Sequence, residues 1–206
     1  MPEIIKVCGI VEPADALAAI QAGATAIGMV FYSESPRYVR LDQAAMVSAV
    51  VSSRGLRVGV FVNETTERIR AVADAVRLDV VQLHGDEPPS DLEELQGLRV
   101  WKALPVGDNF DPARMDDYDC EAILLDTAKA EGYGGSGQPF PWSKAAEAAR
   151  KRRIILAGGL ESANVEEAIR TVKPWGVDAS SRLESSPGRK DTGKVEAYVK
   201  AALNAG

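Results

Sequence analysis

Ala122-Ile123-Leu124-Leu125-Asp126 and Ile154-Ile155-Leu156-Ala157 are the stretches that decide the fold. Each is a short, unbroken apolar run. A strand with one wet face alternates apolar and polar residues, whereas a strand covered on both faces does not. These runs therefore predict parallel strands with side chains buried on both faces. Working outward, segments of the same β-branched kind recur at residues 4–8, 25–31, 56–62, 78–83, 98–104, 121–126, 153–157 and 175–179. Helical patterns lie between them. Residues 14–22 follow Pro13, a favoured first helical position, and stop at Gly23, a favoured terminator. Further helices are predicted at 43–53, 64–77, 90–96, 143–152, 163–172 and 192–203, with 111–118 the weakest of the set.

Eight strand–helix units in 206 residues leave little room for a second domain. The predicted architecture is an α/β single (β/α)8 TIM barrel of parallel strands, one domain over residues 1–206. An open doubly wound sheet is the alternative. It is disfavoured because Gly9 and Gly23 form no GxGxxG fingerprint after the first strand, and eight regular units close naturally.

Composition narrows the function classes. Hydrophobic content of 46% and charged content of 26% suit a soluble globular chain. The net charge of -6 argues against a nucleic-acid surface, which needs a basic face. No apolar run reaches the ~18 residues that span a bilayer. Cys8 and Cys120 stand far apart, and with one histidine, His84, they offer no metal-ligand spacing. The chain reads as a reduced, cytosolic protein with little scope for a metal site.

In a barrel, function gathers at strand C-termini and the loops beyond them. The polar residues there are Cys8, Arg37, Asn63, His84, Lys102, Asp126, Asp178 and Ser180. Gly158-Gly159 and Ser180-Ser181 follow the seventh and eighth strands, the frequent phosphate position in barrels. Glycine lets backbone N–H groups approach an anion, and the serines add hydroxyl donors; the plainer reading of Gly158-Gly159 is a tight turn. Cys8 reads equally as a small buried hydrophobe or as a base, since modest positive surroundings would ionise a thiol near neutrality. Asp126 reads as a helix cap or as a general acid kept protonated by low-dielectric walls. Residues 132–137, glycine-rich, read as a cover over a ligand or a plain connection. Arg37 is placed to clamp a carboxylate, although most loop arginines are only solvated. His84 reads equally as a structural hydrogen-bonder or a ligand contact, Asp178 is a candidate substrate contact, and Lys102 and Asn63 read as structural or peripheral.

Lys6-Val7-Cys8-Gly9-Ile10, Ser35-Pro36-Arg37, Gln82-Leu83-His84-Gly85-Asp86-Glu87, Leu125-Asp126-Thr127, Ala157-Gly158-Gly159-Leu160 and Gly176-Val177-Asp178-Ala179-Ser180-Ser181, with Glu184, Pro187-Gly188 and Lys190-Asp191 beyond, in this order, resemble the phosphoribosylanthranilate isomerase family. The likeness runs along nearly the whole chain. It implies a cytoplasmic isomerase of tryptophan biosynthesis, performing the Amadori rearrangement of N-(5'-phosphoribosyl)anthranilate to 1-(2-carboxyphenylamino)-1-deoxyribulose 5-phosphate. It further implies Asp126 as general acid, Cys8 as general base, Arg37 on the substrate carboxylate, and Gly158, Gly159, Ser180 and Ser181 on the phosphate. No metal or organic cofactor is implied; the expected partner is a phosphorylated small molecule, with neither nucleic acid nor membrane, and the chain is expected to be a monomer or homodimer.

Two departures from the family pattern stand out. Gln138-Pro139 follows Gly137 where the family usually has lysine, and Arg182 follows the two serines where it usually has glycine. A left-handed backbone at Arg182 would be strained, and altered phosphate affinity is expected. The related histidine-pathway isomerase is the competing reading. It would carry aspartate at Cys8 and a second phosphate motif, and no repeat of residues 158–160 occurs in the first half. A noncatalytic phosphometabolite-binding protein is the reading from another class.

Overall fold

Strand β1 (Ile4–Val7) pairs in parallel with β2 (Ala26–Val30) on one side and with β8 (Gly176–Ala179) on the other, and so closes the sheet. Around the ring follow β3 (Leu56–Phe61), β4 (Val80–Leu83), β5 (Val100–Val106), β6 (Ala122–Thr127) and β7 (Ile154–Leu156), each beside its sequence neighbour. This computed structural model describes residues 1–107, 110–128 and 142–205. The glycine-rich 132–137 stretch and Gln138 lie outside the described residues.

The unbroken apolar runs arise because both faces of the barrel strands are largely dry. Successive side chains point alternately inward and outward. Ile4, Ala26, Val58, Val80, Trp101 and Leu124 belong to a cluster inside the barrel. Their neighbours Ile5, Ile27, Val81, Ile123 and Val177 belong to the larger layer between barrel and helices. Each fully buried Ile or Leu is worth about 1.5–3 kcal/mol over exposure, so two dry faces make closure strongly favourable. Trp101 fills the barrel floor. Its ring meets Trp175 edge-on at 5.9 Å between centroids, and its indole N–H donates to Glu121 Oε2 at 2.9 Å.

The helical layer follows local signals. Helix α1 (Pro13–Ala22) starts at the proline and ends at Gly23, whose φ of +105° is open to glycine. Next come α2 (Leu41–Val51), α3 (Thr66–Val76), α4 (Ser90–Glu94), α5 (Trp142–Ala149), α6 (Val165–Val172) and α7 (Thr192–Asn204). The side chains of Thr65 and Asp191 cap α3 and α7, accepting from the N–H groups of Arg68 and Lys194.

The structure departs from the sequence expectation in three places. The weak helix at 111–118 is a 3-10 turn, Pro112–Asp117, with Met115 its one buried residue; that is too little apolar surface to hold a regular helix. Strand β5 continues through Pro105 to Val106 rather than ending at 104, since proline suits extended backbone near a strand end. Between β8 and α7 the chain forms a 3-10 turn, Ser181–Leu183, and an antiparallel hairpin of β9 (Glu184–Ser186) and β10 (Arg189–Lys190).

Candidate active site

The inward face of four strands changes from apolar to polar on approaching their C-terminal ends. On β1 the inward positions read Ile4, Lys6, Cys8; from β4 they read Val80, Gln82, His84. On β6 they read Ala122, Leu124, Asp126, and from β8 Gly176, Asp178, Ser180. A period of two therefore gathers Cys8, His84, Asp126, Asp178 and Ser180 at one mouth.

Hydrogen bonds tie these side chains together. Lys6 Nζ donates to Asp178 Oδ2 at 2.9 Å, both groups being buried. His84 Nε2 lies 3.5 Å from Asp126 Oδ2, and the amide nitrogen of Gln82 lies 2.9 Å from His84 Nδ1. The other Asp126 oxygen accepts from the Thr127 N–H at 2.8 Å. Ser180 Oγ donates to the Cys8 carbonyl at 3.0 Å, joining the first and last strand ends.

Burial pushes the Cys8 thiol above its ordinary value; the Lys6 ammonium opposes this, and Asp178 adds to it. Burial likewise pushes the Asp178 carboxyl up against the pull of Lys6. For Lys6 burial works downward, but Asp178 and Cys8 more than offset it and keep the ammonium charged. Gly28 on β2 makes the room for these groups. A Cβ there would stand 2.7 Å from Cys8 Sγ and 3.1 Å from Lys6 Cε.

Arg37 lies across Gly9, whose φ of +74° and missing side chain permit the approach. Its guanidinium donates through Nε and Nη2 to the two Glu184 oxygens at 2.8 and 2.7 Å. Lys190 Nζ reaches Glu184 Oε1 at 2.9 Å and the Ser180 carbonyl at 3.2 Å. Burial would raise the Glu184 carboxyl, yet Arg37 and Lys190 hold it below its usual value. The hairpin thus braces the arginine that the sequence assigns to a carboxylate.

Gly158 and Gly159 follow β7 with φ of +86° and +68°. The Asn164 side chain pins this turn, donating to the Gly159 carbonyl at 3.0 Å and accepting from the Glu161 N–H at 2.9 Å. Ser180 and Ser181 lie beside it, beyond β8, with Ser181 exposed. Arg182 is exposed within the 3-10 turn and is absent from the residues of positive φ. The expected strain there does not arise, because the turn takes ordinary right-handed backbone.

Lys102 does not belong to the mouth. It shares the outward register of Leu83 and Ile123, to which it is paired, and its Nζ meets Glu87 Oε2 and the Gly85 carbonyl, both at 2.7 Å. Asn63, at φ +49°, accepts from the Asp86 N–H at 2.7 Å. Both brace the loop that follows His84. Lys6, Gln82, Glu184 and Lys190 received no site role from the sequence, although all four stand in the stretches that resemble the family. The first two carried a signal, since each stands two residues before a chosen site residue on the same strand face. Glu184 and Lys190 carried only their match to the family pattern, because the hairpin has no distinctive local pattern of its own.

Among the described residues no three His, Cys, Asp or Glu side chains are grouped to hold a metal ion, and no helix is long and apolar enough to cross a membrane. The family described as N-(5'phosphoribosyl)anthranilate (PRA) isomerase matches residues 5–201. The chain is 51% identical over 199 residues to N-(5'-phosphoribosyl)anthranilate isomerase of Solibacter usitatus (strain Ellin6076), covering 97% of this chain and 96% of that protein. It superposes with a TM-score of 0.92 and 41% identity on the crystal structure of phosphoribosyl anthranilate isomerase from Thermotoga maritima, covering 99% of this chain and 100% of the other. A phosphoribosyl anthranilate isomerase in complex with reduced 1-(o-carboxyphenylamino)-1-deoxyribulose 5-phosphate gives a TM-score of 0.88 at 38% identity, covering 99% of this chain and 100% of the other.

Proposed function

This chain belongs to the N-(5'-phosphoribosyl)anthranilate isomerase family and is an isomerase of tryptophan biosynthesis, and from that premise we propose that Asp126 and Cys8 perform its acid and base steps. The observation that carries this reading is the strand order. In the closed ring β6, β7, β8 and β1 are consecutive. Asp126 therefore stands on one flank, Cys8 on the other, and the Gly158-Gly159 and Ser180-Ser181 loops between them. A phosphate anchored in the middle holds one sugar within reach of both groups.

Asp126 protonates the ribose ring oxygen as the bond from C1 to that oxygen breaks. The anthranilate nitrogen supplies the electron pair, leaving an open-chain Schiff base. The Cys8 thiolate then removes the C2 proton, and the freed pair moves through C1–C2 to nitrogen, giving an enolamine. Its tautomerisation leaves a ketone at C2 and a methylene at C1, so the product is an isomer of the substrate. Backbone N–H groups of Gly158 and Gly159, the Ser181 hydroxyl and the Ser180 hydroxyl, turned from the Cys8 carbonyl, receive the phosphate. Arg37, held by Glu184, turns the rest of its guanidinium towards the anthranilate carboxylate. His84 supports the acid by its contact with Asp126, and Asp178 faces the sugar from β8.

The test is turnover of freshly generated phosphoribosylanthranilate, followed by loss of its fluorescence. Cys8→Ala and Asp126→Ala should each lower kcat by about 10²–10⁴-fold, the usual worth of a general acid or base, while affinity for a product analogue changes little. Normal turnover by either variant removes that residue from the mechanism.

A further inference from the structure

Lys6 is a charge buried just above the apolar floor of the barrel. Its side chain is fully buried, and the same inward face holds Ile4 below it and Cys8 above it. A buried ammonium costs more than the apolar side chain that could fill this position, so stability alone gives no reason for it. Asp178 is its partner from the adjacent strand, at 2.9 Å. That pair is not saturated, since Asp178 Oδ1 is buried with no hydrogen-bond partner.

The surroundings of Cys8 supply the reason. Its thiol packs with Val30 and Val60, a setting hostile to a thiolate. The notch at Gly28 brings Cys8 Sγ and Lys6 Cε against one point, 2.7 and 3.1 Å from where a Cβ would be. We propose that Lys6 is the positioning residue for the base: its ammonium, tethered by Asp178, holds the Cys8 thiolate inside the barrel. This rests on the reading of Cys8 as base. The other charged groups that act on Cys8 are Asp178 from β8, Lys190 from β10 and Arg37 beyond β2. Arg37 and Lys190 are both committed to Glu184. From β2 and β3, Gly28, Val30 and Val60 bring no charge. Lys6 is thus the cation that shares the inward face of β1 with the thiol, and its counter-ion keeps one buried oxygen without a partner.

The experiment reads the thiol directly. In a Cys120→Ser background, alkylation of Cys8 by iodoacetamide is followed by mass spectrometry across a pH series. Lys6→Met should move the midpoint of reactivity up by about one pH unit or more, a roughly tenfold loss of thiolate at neutral pH. Asp178→Asn should move it down, because a carboxylate opposing the thiolate is gone. Should Lys6→Met fail to fold, Lys6→Gln keeps a donor for Asp178 without the charge and must give the same upward shift. An unmoved midpoint in the folded Lys6 variant overturns the proposal. A shifted midpoint combined with normal turnover by Cys8→Ala instead overturns the base reading, so the two failures are separable.

Discussion

At the scale of single residues, the site depends on where a side chain is missing. Gly158 combines a φ of +86° with a close approach to the end of β6. A Cβ there would run into Thr127 Oγ1 and stand 3.1 Å from the Thr127 backbone nitrogen. Gly158→Ala should therefore lower stability by about 1–3 kcal/mol, the usual cost of a strained backbone position. It should also raise KM more than it lowers kcat, because the turn it distorts is the proposed phosphate cradle. Urea titration and steady-state kinetics check the two halves. Arg182, by contrast, sits in ordinary backbone, so its substitution for the family's usual glycine stores no strain. The polar strand ends were legible one by one in the sequence. What they touch was not: nothing local to Arg37 announces Glu184, 147 residues away.

Among the elements, the β9–β10 hairpin carries consequences that its few residues conceal. It places one carboxylate, Glu184, between Arg37 and Lys190. The Glu184 carboxyl is held below its ordinary value in the folded chain. A carboxylate lowered on folding adds stability above its unfolded pKa and loses it as pH falls through the folded one. Glu184→Gln should then cost about 3 kcal/mol near neutrality, since it leaves Lys190 buried without a counter-ion. The gap from the unmodified protein should close as pH drops below the usual glutamate range. Urea midpoints measured over a descending pH series check this, and a constant gap would contradict it. The hairpin escaped sequence reading because Glu-Ser-Ser and Arg-Lys have neither the β-branched content nor the alternation of a strand. The regular strands and helices were legible for the opposite reason: their two dry faces and their caps are written locally.

For the whole molecule, closure is the decisive event, since β1 finds its second partner only when β8 arrives. We propose that residues 1–206 form one domain, in which the barrel floor and the helical layer melt together. Thermal unfolding followed by far-ultraviolet circular dichroism and by tryptophan fluorescence should give one coincident transition. Trp101 and Trp175 report the floor and Trp142 the helical layer. Two separated transitions would divide the chain. The sequence alone determined the fold class and pointed to the polar strand ends, though not to Lys6 and Gln82 beneath them, because strand period, caps and chain length are local or additive properties. It also carried the family, through blocks spread from Lys6 to Asp191. Tertiary structure alone decided orientation and partnership: that Lys102 faces the helices, and that Lys6 meets Asp178 across 172 residues. Both depend on register and closure, which no segment encodes by itself and which exist only once all eight strands have joined.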